Sequence, residues 1–175
     1  VAVLFGGVVA LLPIYARDVL GGGPDLLGWL RAGPAVGATL SALWLGRFPI
    51  EGRAGPKMLW SVVIFGLATA IFGASTSAAV SFVALVVLGA ADEVSVVIRH
   101  CIVQLDTPNE MRGRVSAVNW LFVSVSNELG QFESGLAAAW LGLVPAAVGG
   151  GVVAVLAAGM VALAVPALRR FDRLG

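Results

Sequence analysis

The sequence predicts an all-α, polytopic membrane protein with six transmembrane helices. Three observations carry that expectation. Hydrophobic residues make up 59% of the 175-residue chain and charged residues only 12%, about half the ~25% charged share of a soluble domain. Mean hydropathy is +0.97, and a surface built from so little charge does not stay dispersed in water. Glycine, proline and charge then punctuate the chain into six apolar runs, each close to or above the ~20 residues that a spanning helix needs.

The first run covers residues 1–20 and stops at Gly21-Gly22-Gly23. Gly6, Gly7 and Pro13 let it bend, and Pro13 removes a backbone hydrogen bond that its neighbours must tolerate. A gating hinge and plain packing both fit. The second run starts after Pro24, with Asp25 as its expected N-cap, and ends near Gly46. Gly33 and Gly37, extended by Ser41, form a small-xxx-small stripe on which a neighbouring helix packs closely. Arg31 falls on the stripe of Pro34, Ala35, Ala38, Ser41 and Ala42, expected to face the bundle. It is shallow, so an external mouth role and snorkelling both fit.

The third run covers residues 57–74, the fourth 78–105, the fifth 107–141 and the sixth 146–168. Thr107-Pro108-Asn109-Glu110 has capping-box spacing with Pro at the first helical position. The fifth helix is therefore expected to begin as a surface turn. Runs three and six carry no charge inside and read as lipid-facing helices, hydrophobic all round. Apolar helices at positions three and six give a period of three, which suggests two three-helix inverted repeats, as in secondary transporters.

Runs four and five carry the charge. Residues seven apart on a helix lie ~20° apart around the axis, so Asp92 and Arg99 share one stripe of run four, and Glu93, His100 and Gln104 the adjacent one. A charge at the bilayer centre costs roughly 3 to more than 10 kcal/mol, so such groups face a cavity or a partner. Arg99 lies roughly 9 Å from the exit near Leu105 at ~1.5 Å per residue, within snorkelling reach, whereas Asp92 and Glu93 are roughly 20 Å away. Two readings stand for the acids: an ion pair that only fixes packing, or a role in coupling or gating. In run five, Asn127, Gln131 and Ser134 share one face and Asn119, Ser126 and Glu133 a neighbouring one. Glu128 sits beside the first, near mid-span, and Gly130 admits a close neighbour. A cavity wall and an interhelical hydrogen-bond network both fit this string.

Cations set the orientation. Arg47, Arg53 and Lys57 follow run two, Arg112 and Arg114 follow run four, and Arg169, Arg170 and Arg173 end the chain. The positive-inside rule puts these segments and the C-terminus in the cytoplasm. Trp29, Trp44, Trp60 and Trp140 near run ends suit an aromatic belt.

Other classes find little support. A net charge of +1 and the lack of a basic stripe with interleaved aromatics offer nothing for nucleic acid. One histidine and one cysteine, Cys101, make no zinc site. Gly52 to Lys57 only faintly resembles a phosphate loop, without its full spacing or the Ser/Thr after Lys. An intramembrane enzyme would need paired aspartates or a nucleophile with its base, and Asp92 is the one intramembrane aspartate. A non-transporting membrane scaffold would tolerate mid-depth charges without needing them. No metal or cofactor is expected.

With these residues in view, the chain resembles the C-terminal half of a major facilitator superfamily transporter, over essentially its whole length. "LPIYARDVLG" is similar to the end of the seventh helix in the enterobactin-exporter-like branch. "PNEMRGRVSAVN" resembles that branch's loop between helices ten and eleven, with Pro108, Arg112, Gly113, Arg114 and Ala117 in place. "SNELGQFESG" resembles its eleventh helix. The loop "GRFPIEGRAGPK" departs from the superfamily's signature, keeping Gly46, Glu51, Arg53, Gly55 and Lys57 with irregular spacing. The resemblance implies one six-helix half of a twelve-helix transporter in a bacterial inner membrane. In it, helices seven, eight, ten and eleven line a cavity and nine and twelve face lipid. Because the chain opens on Val1 inside an apolar run, it is expected to be a fragment whose N-terminal half lies upstream. The expected partners are a small-molecule substrate, protons, lipid and that half. Export driven by proton entry is the expected activity. Glu128 and Asp92 would be the proton carriers and Asn127 and Gln131 the substrate contacts. Glu93, Glu133, Arg99 and Arg31 would lie on the same pathway, and Arg112 and Arg114 would hold the loop against headgroups or a helix end.

Overall fold

The computed structural model of the chain describes residues 2–48, 52 and 54–164. Among them are six α-helices: α1 (Ala2–Ile14), α2 (Pro24–Arg47), α3 (Ala54–Ala74), α4 (Ala78–Asp106), α5 (Arg112–Leu141) and α6 (Leu143–Ala164). A π-helical turn, Tyr15–Val19, continues α1. Glu51 and Arg53 of the loop after α2 lie outside the described residues, as do Arg169, Arg170, Arg173 and the end of the sixth run. The fold is that of an all-α membrane protein. By length and composition α3, α4 and α6 can each cross a membrane. Helices α2 and α5 are long enough but more polar, and the 13 residues of α1 are too short without the π turn.

Helix ends follow local chemistry. Pro24 opens α2 at its first turn, where a missing N–H costs nothing. The N-cap is Gly23 and makes no side-chain cap bond, so Asp25 sits within the first turn instead of capping it. There its charge still favours the positive end of the helix dipole. The capping box expected at Thr107 does not form. Thr107 is extended and ends α4, and its hydroxyl donates back to the Val103 carbonyl. The segment 108–111 is a turn closed by Met111 N–H donating to Pro108 O at 3.0 Å. Helix α5 begins only at Arg112.

Pairing is selective. Helix α1 packs on α5, α2 on α4 and α3 on α6, while α3 also packs on α4 and α1 on α6. Exchanging the first three helices with the last three turns α1–α5 into α4–α2 and α3–α4 into α6–α1, and leaves α3–α6 unchanged. The contacts thus follow the period of three seen in the sequence. The match is incomplete: α5–α6 and α1–α2 have no equal counterparts in α2–α3 and α4–α5, and α1 packs less extensively on α6 than α3 does on α4.

Small residues make these contacts possible. Gly33 and Gly37 of α2 lie against α4, and a Cβ on Gly37 would overlap the Val86 carbonyl and come within 2.8 Å of Ala90 N. At the α3–α6 crossing a Cβ on Gly66 would sit 2.7 Å from the Gly151 carbonyl. Both are closer than real Cβ atoms approach, so the helices touch backbone to backbone.

Two expectations change here. Helix α3 is not lipid-facing all round. Ser61, Phe65, Ala68, Thr69 and Phe72 are buried, and Trp60, Ile64, Leu67 and Ile71 form its exposed strip. A helix apolar on every side suits enclosure by protein as well as by lipid. Its buried hydroxyls are satisfied within the helix, Ser61 to Met58 O at 2.8 Å and Thr69 to Phe65 O at 2.9 Å. Arg31 does not face the bundle either. The buried stripe of α2 is Leu30, Gly33, Pro34 and Gly37, and Arg31 stands exposed beside it.

The core gathers Leu12, Tyr15, Leu30, Phe65, Phe72, Leu85 and Leu88. Tyr15 is fully buried. Its hydroxyl reaches the carbonyls of Phe72 (2.7 Å), Gly73 (3.1 Å) and Ser75, and its ring lies 4.4 Å from that of Phe72. The last carbonyls of a helix have no partner within it. Tyr15 therefore supplies a donor at the end of α3 and ties the end of α1 to it.

Candidate functional site

Helix α4 places Asp92, Val96, Arg99 and His100 on one face, since residues four, seven and eight apart stack along a helix. Helix α5 places Asn119, Trp120, Val123 and Asn127 on one face by the same spacing. These two faces line a gap of about 180 Å³ between the helices. The gap exists because α4 is held by α2 and α3, and α5 by α1 and α6, while the α4 and α5 backbones scarcely approach each other.

Depth follows from the helix bounds. Asp92 is the midpoint of the 29-residue α4, and Asn127 stands next to the midpoint of the 30-residue α5. At ~1.5 Å per residue each is roughly 20 Å from its helix ends.

Within the gap the groups are incompletely paired. No ion pair within 4.0 Å joins Asp92 to Arg99 among the described residues, so the two charges act on each other through space and not in contact. Arg99 Nε and Asn127 Oδ1 are both buried with no hydrogen-bond partner among the described residues. Leaving such a group unsatisfied costs about 1–3 kcal/mol. Arg99 as a whole is half-buried, with its Nε enclosed. The His100 ring lies 6.3 Å from that of Trp120 at 59°.

Not every expected residue joins the gap. Glu93 and Gln131 are half-buried outside its lining, and Glu128, Glu133 and Arg31 are exposed. The polar face of α5 thus divides: Asn119 and Asn127 turn to α4, Ser134 abuts Gly7 of α1, and the two acids point away. Between α4 and α5, Pro108 lies in the turn, and Arg112, Gly113 and Arg114 open α5. Arg112 Nε donates to the Thr107 carbonyl at 3.3 Å, and Arg114 is exposed. Sequence reasoning left His100, Asn119 and Trp120 out of the site. Their spacing from Arg99 and Asn127 was the available signal.

One larger hollow is chemically blank. A groove of about 430 Å³ between α3 and α4 is lined only by Ile64, Leu67, Ala68 and further Ala, Val and Ile side chains. It offers no polar group to orient a ligand.

Six helices joined by short segments, with charged side chains held at mid-depth, define a polytopic membrane protein built around an internal polar gap. Residues 2–174 match the family described as transmembrane secretion effector. The chain belongs to that family, which is one of major-facilitator-type transporters. No curated protein and no solved structure matches the chain.

Proposed function

We propose that the protein is a proton-coupled secondary transporter that exports a small molecule by alternating access. In this reading residues 1–175 are the C-terminal six-helix half, and a second six-helix half completes the molecule in a bacterial inner membrane with the C-terminus cytoplasmic. The observation that carries the reading is the α4–α5 gap: a carboxylate, a guanidinium and two amides held at membrane depth and left partly unpaired. Packing alone does not require so costly an arrangement. Glu128, one residue from Asn127, is exposed on α5, and in this reading that surface meets the second half. Asp92 carries the proton within the gap, and Glu128 exchanges it with the surface between the halves.

Expression of the full-length protein in an efflux-deficient bacterium tests this. Accumulation of at least one compound in a panel of drugs, siderophores and small zwitterionic amino acids should fall several-fold, and collapsing the proton gradient should restore it. Unchanged accumulation across the panel, or a fall that persists without the gradient, contradicts the proposal and favours a membrane scaffold or another energy source.

A further inference from the structure

The α4–α5 gap has polarity as well as position. Helices α4 and α5 are joined by the short segment 107–111, so levels in the hairpin are counted from that turn. Arg99 and His100 lie seven and six residues before the end of α4, and Asn119 and Trp120 lie seven and eight after the start of α5. They share one level. Asp92 and Asn127 lie 14 and 15 residues from the same ends, and share a second level roughly 10 Å further in at ~1.5 Å per residue. Val96 and Val123 fall between the two levels.

The unpartnered atoms sort the same way. The orphan donor, Arg99 Nε, belongs to the outer level, and the orphan acceptor, Asn127 Oδ1, to the inner one. The gap therefore offers a guanidinium with an unpartnered donor at one end, a carboxylate beside an unpartnered acceptor at the other, and two aliphatic side chains between. Its 180 Å³ equals about six water molecules at ~30 Å³ each, room for a molecule of about that many heavy atoms.

We propose that this gap binds a small zwitterion with a short methylene spacer, its carboxylate on Arg99 and His100, its ammonium group on Asp92 and Asn127, and its spacer between Val96 and Val123. The inference rests on the transport reading and deepens it by naming a substrate class. Proton and ammonium then compete for one carboxylate, which is the exchange that an antiporter needs.

Binding in detergent-solubilised full-length protein tests the proposal without flux. The probes are 4-aminobutyrate, butyrate and butylammonium, titrated calorimetrically. The zwitterion should bind about tenfold or more tighter than either singly charged probe, since each end adds a charge-assisted hydrogen bond. Arg99→Gln should weaken 4-aminobutyrate and butyrate but spare butylammonium, and Asp92→Asn should do the converse. Equal affinities for the three probes on the parental protein, no binding of any, or variants that weaken all probes alike would overturn the proposal. The parental comparison needs no variant to fold. Gradient-driven export of other compounds without zwitterion binding would sink this inference and leave the transport reading. Zwitterion binding without gradient-driven export would sink the transport reading and leave this one.

Discussion

Tyr15 shows how one hydroxyl organises two helices. The π turn after Pro13 coincides with its burial, and its donor reaches carbonyls at the end of α3, where Phe72 O also accepts from Ser75 N–H. Tyr15→Phe keeps the ring and removes the donor. It should lower stability by about 1–3 kcal/mol, read as an earlier thermal unfolding midpoint in detergent, and an unchanged midpoint would show the contact to be idle. The acids separate two roles. Asp92→Asn should insert normally and abolish gradient-dependent export, because the gap then loses its one carboxylate and keeps only Arg99 and His100 as ionisable groups. Glu128→Gln should also insert and express normally, and should impair export only by breaking exchange between the halves. Export at the parental rate with the parental pH dependence would remove Glu128 from the pathway. The stripe of Asp92 and Arg99 was legible from spacing alone. The division of α5 was not, because a run of polar residues says which faces are polar but not which neighbour each face meets.

At the scale of elements, backbone contact between helices is the central feature. The stripe Gly33-xxx-Gly37 announced a close neighbour, and the structure identifies it as α4. Gly37→Val should destabilise the α2–α4 pair by about 1–3 kcal/mol through overpacking. Gly28→Ala, on the same helix with nothing within 4 Å of its Cβ position, should be neutral or slightly stabilising. Equal loss of folded protein in both variants would mean that helix propensity, not the crossing, governs the effect. Boundaries of α2, α3 and α4 were readable to within a few residues because Gly, Pro and charge interrupt hydropathy there. The start of α5 was misread because Thr107 has a competing local bond to Val103, which ends α4 instead of opening α5. Enclosure of α3 was hidden for a different reason: transfer energy does not distinguish lipid from a protein interior.

For the molecule as a whole, the pairing of helices repeats after three, and the α4–α5 gap lies within one such arrangement. In the proposed transport cycle this gap opens in turn to the two sides of the membrane. That claim is testable without knowing the substrate. Val96, which lines the gap, can be replaced by cysteine in a full-length protein whose exposed Cys101 has been changed to serine. A membrane-impermeant thiol reagent is then applied to right-side-out and to inside-out vesicles, with and without an imposed proton gradient. The account predicts labelling from both sides, a gradient that shifts the balance between them, and loss of that shift when Asp92→Asn is added. Labelling from one side only, indifferent to the gradient, would contradict it.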